Sequence, residues 1–537
     1  MSMIYTVPRA SAPIDLYLDS NEGAQPAPGL LDTIDSVDAL RRYPDAAPLE
    51  RRLADDLGVN PAQVVVTAGG DDAIDRICRV WLDRNSRLIL PVPGFEMVRR
   101  YGLAAGAEIV EIPWETDAFP VDAVLAAPDP AVVVITSPNN PTGSVVTVEA
   151  LHRVAAGAPQ ALMLVDLAYA EFAEEDLTRA ALELPNAVVI RTLSKAWGLA
   201  GLRVGYAIGS AENIGRMRAV GPPYAVSGVS LAVALSALDR REFMATYVSR
   251  VRHERERVRQ VLTDCGATTR SSQANFVFAE VDDPMWVRDA VAGLGIAIRA
   301  FPGRPGLERA IRVSCPGDQE GLTRLTGALR AALAPQALLL DMDGVLVDVS
   351  HSYRAAIIET AAEFGLDVRL EEITAAKAAG NANNDWILTW RLLAGAGIEV
   401  PLDRVTAAFE DRYQGGLWRR EVPLVSRATL ERLAAKVPLA IVTGRPRRDA
   451  EAFLDREGLG DLFEVVITME DAPAKPNPAP IELALQRLGV SDAWMVGDTV
   501  DDLRAARAAG VVPLGFGFDL PEAARVLGDL AELEAWL

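Results

Sequence analysis

Short apolar runs rich in β-branched residues alternate with amphipathic stretches along the first part of the chain. The runs cover residues 64–66, 88–90, 131–135, 162–165 and 187–190. Most of them end close to a Gly, Pro, Asn or Asp residue and are followed by a helical pattern. Such alternation is typical of parallel strands covered by helices. The pattern therefore predicts an α/β fold for this part of the chain.

A second α/β pattern begins after a break at 334–336, which reads Ala-Pro-Gln. A helical pattern over 321–333 ends there, and a buried strand is predicted over 337–340. Further strands are predicted at 439–443, 465–467 and 494–496, after an all-helical insert. The two α/β regions carry different motifs, so they are not an internal repeat.

These patterns predict two domains joined by a very short linker. The first covers 1–334 and the second covers 337–537, with the helical insert at about 350–420. Within the first, we expect a large domain over about 45–250 and a small α+β domain built from about 1–44 and 251–334.

The composition narrows the possible functions. The chain of 537 residues has a formal net charge of −21, which disfavours binding to nucleic acid or to an anionic membrane surface. Three scattered cysteines and three histidines are too few for a disulfide framework, a histidine-rich metal site or a catalytic triad. The sequence shows no signal peptide and no apolar stretch of ~18 residues that would span a bilayer. We therefore expect a soluble, cytoplasmic protein that acts on small molecules.

The most informative segment of the first half reads RTLSKAWGLAGLRVGY and covers 191–206. Lys195 lies there between hydroxyl side chains and glycines, with Arg203 further along. This set suits a phosphate held by Ser, Thr and Arg beside an amine. A dinucleotide-binding loop is a weaker interpretation, because the strand–GxGxxG–helix order with a downstream acid is missing.

Three further clusters follow predicted strands. SPNNPTG covers 137–143, VDLAY covers 165–169, and AGGDD at 68–72 opens a helix whose free N–H groups favour a phosphate. Open α/β sheets bind ligands at the carboxyl ends of their strands. The clusters therefore predict one shared anion site.

Together with LDSNEG, RRYPD, QANFVF, IAIRAF and AIRVS, these motifs resemble the fold-type I aminotransferases, specifically the histidinol-phosphate aminotransferase branch. The resemblance covers residues 18 to about 330. It implies a large, mainly parallel-sheet domain with a small α+β domain, pyridoxal 5′-phosphate as cofactor, and a homodimer with shared sites.

The same resemblance implies a role for each matching residue. Lys195 would bind the cofactor covalently and later move a proton. Asp166 would pair with the pyridine nitrogen, and Phe95 would stack on the ring. Asn140 and Tyr169 would hydrogen-bond the ring oxygen. The cofactor phosphate would be bound by Gly70, Asp71, Thr192, Ser194, Arg203 and, from the partner subunit, Tyr43. The substrate would be bound by Asn21, Arg299 and Arg312. The chain departs from the family at Leu167, where Glu is usual, and at Gly23.

The second half carries a different set of motifs. LDMDGVLVD at 340–348 directly follows a predicted strand. It does not fit a calcium-binding EF-hand, which needs Gly at loop position 6 and Glu at position 12, because here Gly344 stands at position 4 and Ser352 at position 12. TGR at 443–445, AKPNP around Lys475 and GDTVDD at 497–502 follow later. A nucleophilic acid, a hydroxyl, a lysine and paired acids, most of them at strand ends, predict a phosphoryl-transfer site.

This set resembles the haloacid dehalogenase superfamily, subfamily I, from 337 to about 517, which implies a Rossmann-like core with a helical cap. Asp341 would attack phosphorus, and Asp343 would protonate the leaving oxygen and then activate water. Thr443 and Lys475 would hold the phosphoryl oxygens. Mg²⁺ would be bound by Asp341, Asp343 through its backbone carbonyl, Asp498, and Asp502 or Asp501. In the cap, we expect Asn381, Asn384 and Trp386 to bind the alcohol part of the substrate.

The fusion predicts two consecutive reactions: transamination of a phosphorylated ketone by a donor such as glutamate, then removal of the phosphate. In histidine biosynthesis these convert imidazole-acetol phosphate to histidinol phosphate and then to histidinol. Histidinol phosphatases of this superfamily lack such a large cap and carry a cysteine-bound zinc, so another phosphorylated amino alcohol stays open. So does a decarboxylase resembling the threonine-phosphate decarboxylases. A non-enzymatic binding role for one half is disfavoured by the presence of Lys195 and Asp341.

Overall fold

The computed structural model describes residues 9–23, 25–34, 38–378, 380, 384–517 and 520–537. By contacts between residues, the chain forms two compact units. The first consists of Leu18–Pro284 and Ile298–Thr323, and the second of Met1–Tyr17, Met285–Ala297 and Arg324–Leu537.

A seven-stranded sheet lies at the centre of the first unit. In spatial order its strands are Val64–Thr67, Gly205–Gly209, Ala187–Thr192, Leu162–Asp166, Pro130–Thr136, Arg87–Val92 and Glu108–Pro113. All neighbours pair in parallel except Gly205–Gly209, which is antiparallel to both of its neighbours. The central strands are buried along their whole length, as apolar strands covered on both faces must be.

Several helices of this unit cover the sheet with an apolar stripe, whereas Arg241–Asp264 packs on the smaller sheet described below. The helices of the unit are Asp38–Arg41, Ala47–Leu57, Gly69–Trp81, Glu96–Ala104, Val121–Leu125, Val148–Gly157, Thr178–Leu182, Ala211–Val220, Gly228–Leu238 and Arg241–Asp264. Two separate clusters of buried side chains result, built around alternate residues of the same strands. In strand Val64–Thr67, for example, Val65 belongs to one cluster and Val66 to the other.

A second, antiparallel sheet completes the first unit. Its strands lie in the order Arg299–Ala300, Ala310–Ser314, Phe276–Glu280 and Thr268–Thr269.

The second unit contains a six-stranded parallel sheet. Its order is Val465–Ile467, Leu439–Val442, Ala337–Leu340, Ala493–Gly497, Val512–Phe516 and Arg525–Leu527. The helices packed with it are Arg427–Ala434, Arg447–Glu457, Ala479–Leu488 and Val500–Ala508, together with the greater parts of Pro284–Gly293 and Gln319–Leu333. A short parallel pair, Leu16–Tyr17 with Ile296–Ala297, belongs to the same unit.

A helical insert interrupts this unit between its first two core strands. It contains Tyr353–Glu363, Leu370–Ala378, Asp385–Gly395 and Leu402–Gln414. Before and after the insert, Val347–Asp348 pairs antiparallel with Val422–Pro423, so the chain enters and leaves the insert at one place. Hereafter we call the residues between these two short strands the cap.

The predicted fold class is confirmed: both units are α/β with mostly parallel sheets. The domain boundary at 334–337 stays a prediction, because compact units in space need not coincide with continuous segments of sequence. Among the described residues, every helix is too short or too polar to cross a bilayer.

Candidate active sites

Lys195 lies in the loop after strand Ala187–Thr192, at the carboxyl edge of the seven-stranded sheet. Its Nζ donates a hydrogen bond to the backbone oxygen of Ser20 (3.2 Å) and lies 5.7 Å from the centre of the Tyr169 ring. Burial, reinforced by the positive charge of Arg312, lowers the pKa of Lys195 to about 8. The neutral, nucleophilic form of this amine is therefore far more populated near neutral pH than that of an ordinary lysine.

Asp166 ends the neighbouring strand, Leu162–Asp166, and is only 5% exposed. Burial raises its pKa to about 6, although its carboxylate accepts a hydrogen bond from the backbone N–H of Ala168 (3.1 Å). A cationic ring nitrogen placed against this carboxylate would favour its charged form. The site thus fits the pyridine end of pyridoxal 5′-phosphate.

The start of helix Gly69–Trp81 and the loop at 192–203 together form a cradle of polar groups that could hold a phosphate. The hydroxyls of Thr192 and Ser194 are buried and lie 2.9 Å apart. Arg203 takes a left-handed backbone (φ 53°), and its Nη2 donates to Asp71 Oδ2 (2.9 Å). Gly69 has a left-handed backbone (φ +82°), which favours glycine, and a Cβ there would lie 2.7 Å from Arg203 Nη2. Free amides, hydroxyls and a guanidinium together fit a phosphate dianion.

Two buried arginines lie directly opposite each other in the small sheet. Arg299 on Arg299–Ala300 pairs in register with Arg312 on Ala310–Ser314, and both side chains are 7% exposed. Among the described residues, the Nη1 of Arg299 is a buried donor that lacks a hydrogen-bond acceptor. Like charges facing each other across strands are destabilising by themselves, so this pair fits an anionic ligand.

Several other residues predicted for this site lie around Arg312. Its Nη1 donates to Asn140 Oδ1 (2.6 Å). The hydroxyl of Tyr169 accepts from Asn21 Nδ2 (3.1 Å), and Asn21 Oδ1 in turn accepts from Ser314 Oγ (2.8 Å). The structure therefore brings Asn21, Asn140, Tyr169 and Arg312 together.

Three predicted cofactor residues lie at the edges of this region. Gly70 follows Gly69 in the first turn of the helix, and its binding of the cofactor phosphate stays a prediction. Phe95 directly precedes helix Glu96–Ala104 and packs partly against the sheet. Tyr43 is 80% exposed and stacks on Tyr224, with the ring centres 4.5 Å apart. That Tyr43 reaches the phosphate of a partner subunit stays a prediction.

The two departures from the family have local explanations. A Cβ at Gly23 would lie 2.1 Å from the backbone oxygen of Lys195, so only glycine fits against the lysine loop. Leu167 is 1% exposed and belongs to the main core cluster, where an ionised Glu would be costly.

The second site is an acidic cluster at the carboxyl edge of the six-stranded sheet. Oxygens of Asp341, Asp498 and Asp502 lie within 4.8 Å of one another. Lys475 Nζ is 2.9 Å from Asp341 Oδ1 and 2.5 Å from Asp502 Oδ1. Burial and the neighbouring carboxylates raise the pKa of both Asp341 and Asp498. Three carboxylates beside one lysine fit a hard divalent cation such as Mg²⁺, which would favour their charged forms.

Asp343 pairs with Arg445 and does not join this cluster. Its Oδ1 lies 2.6 Å from Nε of Arg445, and its side chain is not among the three clustered carboxylates found in the described part of the chain. The predicted contribution of Asp343 to the metal through its backbone carbonyl stays a prediction. Thr443 directly follows strand Leu439–Val442, is 5% exposed, and its hydroxyl accepts from the backbone N–H of Arg445 (3.2 Å).

The cap supplies the remaining predicted residues. Asn384 and Trp386 line one cavity together with Asp343, and their binding of the leaving alcohol stays a prediction. Asn384 also caps helix Asp385–Gly395 by accepting from the backbone N–H of Ile387 (3.0 Å). Asn381 lies outside the described residues.

Two family models match the chain in succession. Residues 29–329 match "Aminotransferase class I and II", and residues 335–510 match "haloacid dehalogenase-like hydrolase". The chain belongs to the class I and II aminotransferases, fused to a haloacid dehalogenase-like hydrolase domain. Pyridoxal 5′-phosphate is the cofactor of the first fold, and Mg²⁺ is typical of the second, as the sequence predicted.

The matches to relatives of the aminotransferase part cover most of each relative's length. A histidinol-phosphate aminotransferase of Haloferax volcanii is 39% identical over 312 residues, which are 56% of this chain and 84% of that protein. The crystal structure of histidinol-phosphate aminotransferase from Sinorhizobium meliloti in complex with pyridoxal-5′-phosphate matches with a TM-score of 0.56 and 26% identity. The match covers 60% of this chain and 91% of the Sinorhizobium meliloti chain.

One relative matches only in part. An imidazoleglycerol-phosphate dehydratase of Phytophthora nicotianae is 53% identical over 193 residues, 34% of this chain. The match spans only 43% of that protein, so most of the dehydratase chain has no counterpart here.

Sequence reasoning missed several charged residues of the hydrolase unit. Arg445 and Glu421 form a buried ion pair (3.1 Å), and Lys377 pairs with Asp385 (3.0 Å) in the cap. Arg445 could have been suspected from its place directly after Thr443-Gly444. The residues Glu421 and Asp385 carry no motif, so only the folded chain reveals their partners.

Proposed function

We propose that this protein transfers an amino group to a phosphorylated ketone in its aminotransferase unit and hydrolyses a phosphomonoester in its hydrolase unit. The observation that carries the first reaction is the desolvated Lys195 beside the buried carboxylate of Asp166. When bound, the cofactor would accept the electrons released as the substrate loses its Cα proton. Lys195 would move that proton, and Asp166 would hold the ring nitrogen in its protonated form.

The substrate of this site carries an anion. The facing pair Arg299 and Arg312 would bind it, because a guanidinium fork matches the oxygens of a carboxylate or a phosphate. A buried anion between two buried arginines would satisfy charges that otherwise repel each other. This supports a phosphorylated ketone as acceptor and a dicarboxylic amino donor such as glutamate.

In the hydrolase unit, Asp341 would attack phosphorus and form a transient aspartyl phosphate. Lys475 would hold both Asp341 and a phosphoryl oxygen, and Thr443 would donate its hydroxyl to another. A bound Mg²⁺ would neutralise the charge that repels a dianionic ester. Asp343, which lines the cavity next to the cap, would protonate the leaving alcohol.

We propose imidazole-acetol phosphate as the acceptor and histidinol phosphate as the ester that is then cleaved. The names of the aminotransferase relatives support this pathway, as does the name of the partial match. We also propose that the protein acts in the cytoplasm, as a homodimer whose subunits share their active sites.

The test measures the two products separately. The full chain is incubated with pyridoxal 5′-phosphate, Mg²⁺, glutamate and imidazole-acetol phosphate, and 2-oxoglutarate and free phosphate are followed. We expect both products from the wild type. Lys195→Ala should abolish 2-oxoglutarate but still release phosphate from added histidinol phosphate, and Asp341→Asn should do the reverse. Each variant is thus the control for the other.

Other outcomes separate the alternatives. If neither imidazole-acetol phosphate nor histidinol phosphate reacts, the histidine assignment is wrong, and a panel of other phosphorylated ketones and amino alcohols replaces them. Carbon dioxide from phosphothreonine without consumption of an amino acceptor would identify a decarboxylase instead.

A further inference from the structure

Arg445 of the hydrolase unit is a fully buried arginine outside the predicted catalytic set. It lies in the loop between strand Leu439–Val442 and helix Arg447–Glu457, and its side chain is 1% exposed. We infer that Arg445 is a positioning residue, which orients the carboxylate of Asp343 toward the leaving alcohol and couples that orientation to the cap. This inference rests on the proposed phosphatase activity.

The two ion pairs of Arg445 join the loop of the general acid to the cap. Nε lies 2.6 Å from Asp343 Oδ1, and Nη2 lies 3.1 Å from Oε1 of Glu421, which is also 1% exposed. A buried guanidinium is tolerated only when its charge is compensated, and its planar fork fixes the directions of its partners. The position of Asp343 is therefore set by an arginine that is itself held from the other side by Glu421.

Glu421 stands at the point where the chain returns from the cap. It directly precedes Val422–Pro423, which pairs with Val347–Asp348 at the entry of the cap. Its Oε1 accepts hydrogen bonds from the hydroxyls of Tyr413 (2.9 Å) and Ser352 (3.3 Å). A movement of the cap relative to the core would therefore act directly on Glu421.

The first cap helix also contacts the arginine. The Arg445 guanidinium lies 4.9 Å from the ring centre of Tyr353, within the range of a cation–π interaction. Tyr353 begins helix Tyr353–Glu363, and Tyr413 lies near the end of helix Leu402–Gln414. These two α-helices of the cap therefore contact Arg445 and Glu421, respectively.

The chemistry makes the orientation of Asp343 important. As the bond from an Asp341 oxygen to phosphorus forms, the bond from phosphorus to the ester oxygen breaks, and that oxygen leaves with the electron pair. Asp343 gives its proton to this oxygen, which requires hydrogen-bond reach. The contact with Arg445 uses Oδ1, while the side chain stays 23% exposed and lines the cavity with Asn384 and Trp386.

Leaving-group dependence separates positioning from a general structural effect. An alkyl alcohol leaves only with a proton, whereas p-nitrophenolate leaves without one. A misplaced Asp343 therefore slows cleavage of an alkyl phosphate far more than cleavage of p-nitrophenyl phosphate. A variant whose site is merely distorted loses both reactions to the same degree.

The experiment compares kcat/KM of the full chain on both esters for Arg445→Gln, Arg445→Lys and Glu421→Gln. We expect Arg445→Gln to lose at least about tenfold more activity on the alkyl ester than on p-nitrophenyl phosphate, which is part of the roughly 10²–10⁴-fold that general-acid catalysis contributes. Glu421→Gln should also lose more activity on the alkyl ester than on p-nitrophenyl phosphate, but to a smaller degree. Arg445→Lys should keep part of the activity on the alkyl ester that Arg445→Gln loses. Asp343→Asn, which removes the proposed proton donor itself, gives the upper limit of the difference between the losses on the two esters.

A matched control is Arg448→Gln. Arg448 also joins the core to the cap, through Glu410 (2.8 Å), but its side chain is 63% exposed. It should leave the ratio of the two kcat/KM values unchanged. Thermal unfolding shows which variants fold. If Arg445→Gln does not fold, the results for Arg445→Lys and Glu421→Gln decide whether the inference holds.

Equal losses on the two esters in the folded variants, or no loss at all, would overturn the inference. The wild type is measured first. If it releases no Mg²⁺-dependent phosphate from either ester, the proposed phosphatase activity itself is wrong.

Discussion

Gly344 allows the sharpest test of the acidic cluster in the hydrolase unit. Its backbone is left-handed (φ +76°), and a Cβ there would lie 2.0 Å from Asp498 Oδ2. Cβ contacts under 3.0 Å are essentially never found, so Gly344→Ala must displace the carboxylate by about 1 Å or move the loop. Mg²⁺ requires oxygens at nearly ideal distances, so a displacement of that size removes Asp498 as a ligand.

The matched control is Gly489→Ala. Gly489 ends helix Ala479–Leu488 with a similar backbone (φ +73°), but a Cβ there would meet nothing within 4 Å. Both substitutions incur the cost of a left-handed alanine, about 1–2 kcal/mol. Only Gly344→Ala also disturbs the carboxylates. The difference between the two variants therefore reports on the cluster and on the loop that carries Gly344.

The assay follows phosphate release against Mg²⁺ concentration, with amino transfer in the same preparation as an internal control. For Gly344→Ala we expect a fall in kcat/KM of about 100-fold, the loss that a 1 Å misplacement can cause, and a higher Mg²⁺ requirement. Amino transfer should stay intact. For Gly489→Ala we expect only the loss of stability, measured by denaturant unfolding. If Gly344→Ala keeps the activity and Mg²⁺ response of the wild type, the acidic cluster does not bind the metal as proposed.

Three further predictions follow from the structure. The raised pKa of Asp166 means that its contribution to stability is lost as the pH rises from 3.8 through about 6. Asp166→Asn should therefore stabilise the cofactor-free protein at pH 8 by up to about 3 kcal/mol in thermal unfolding, yet abolish most amino transfer; no stabilisation would contradict this. Arg299→Gln should raise KM for the phosphorylated acceptor about 10–100-fold while changing the half-reaction with glutamate much less, and equal effects on both would argue against a phosphate-binding role. Trp286 packs against Trp494 and Trp536 (ring centres 4.7 and 5.1 Å), so Trp286→Ala should cost about 3–5 kcal/mol in urea unfolding of the second unit; a cost under about 1 kcal/mol would show that this packing matters little.

The sequence alone was sufficient for the fold class and for the residues at the strand ends. Lys195, Asp166, Asp341 and Asp498 each stand at or just after the end of a largely apolar strand, so their placement at the carboxyl edges of the two sheets follows from the parallel arrangement of the strands. Local pattern carries this information, because the strand, its turn and the polar residue are neighbours in sequence.

The partners of these residues were decided only by the tertiary structure. Asp343 and Arg445 are 102 positions apart, and Arg299 faces Arg312 because two short strands pair in one particular register. Glu421 looks ordinary in sequence, yet it anchors a buried arginine. Gly344 belongs to a motif, but only the folded chain shows that it leaves room for the carboxylate of Asp498. Burial, register and close approach depend on segments distant along the chain. The sequence could therefore predict which polar groups stand at the strand ends, but not what holds them in place.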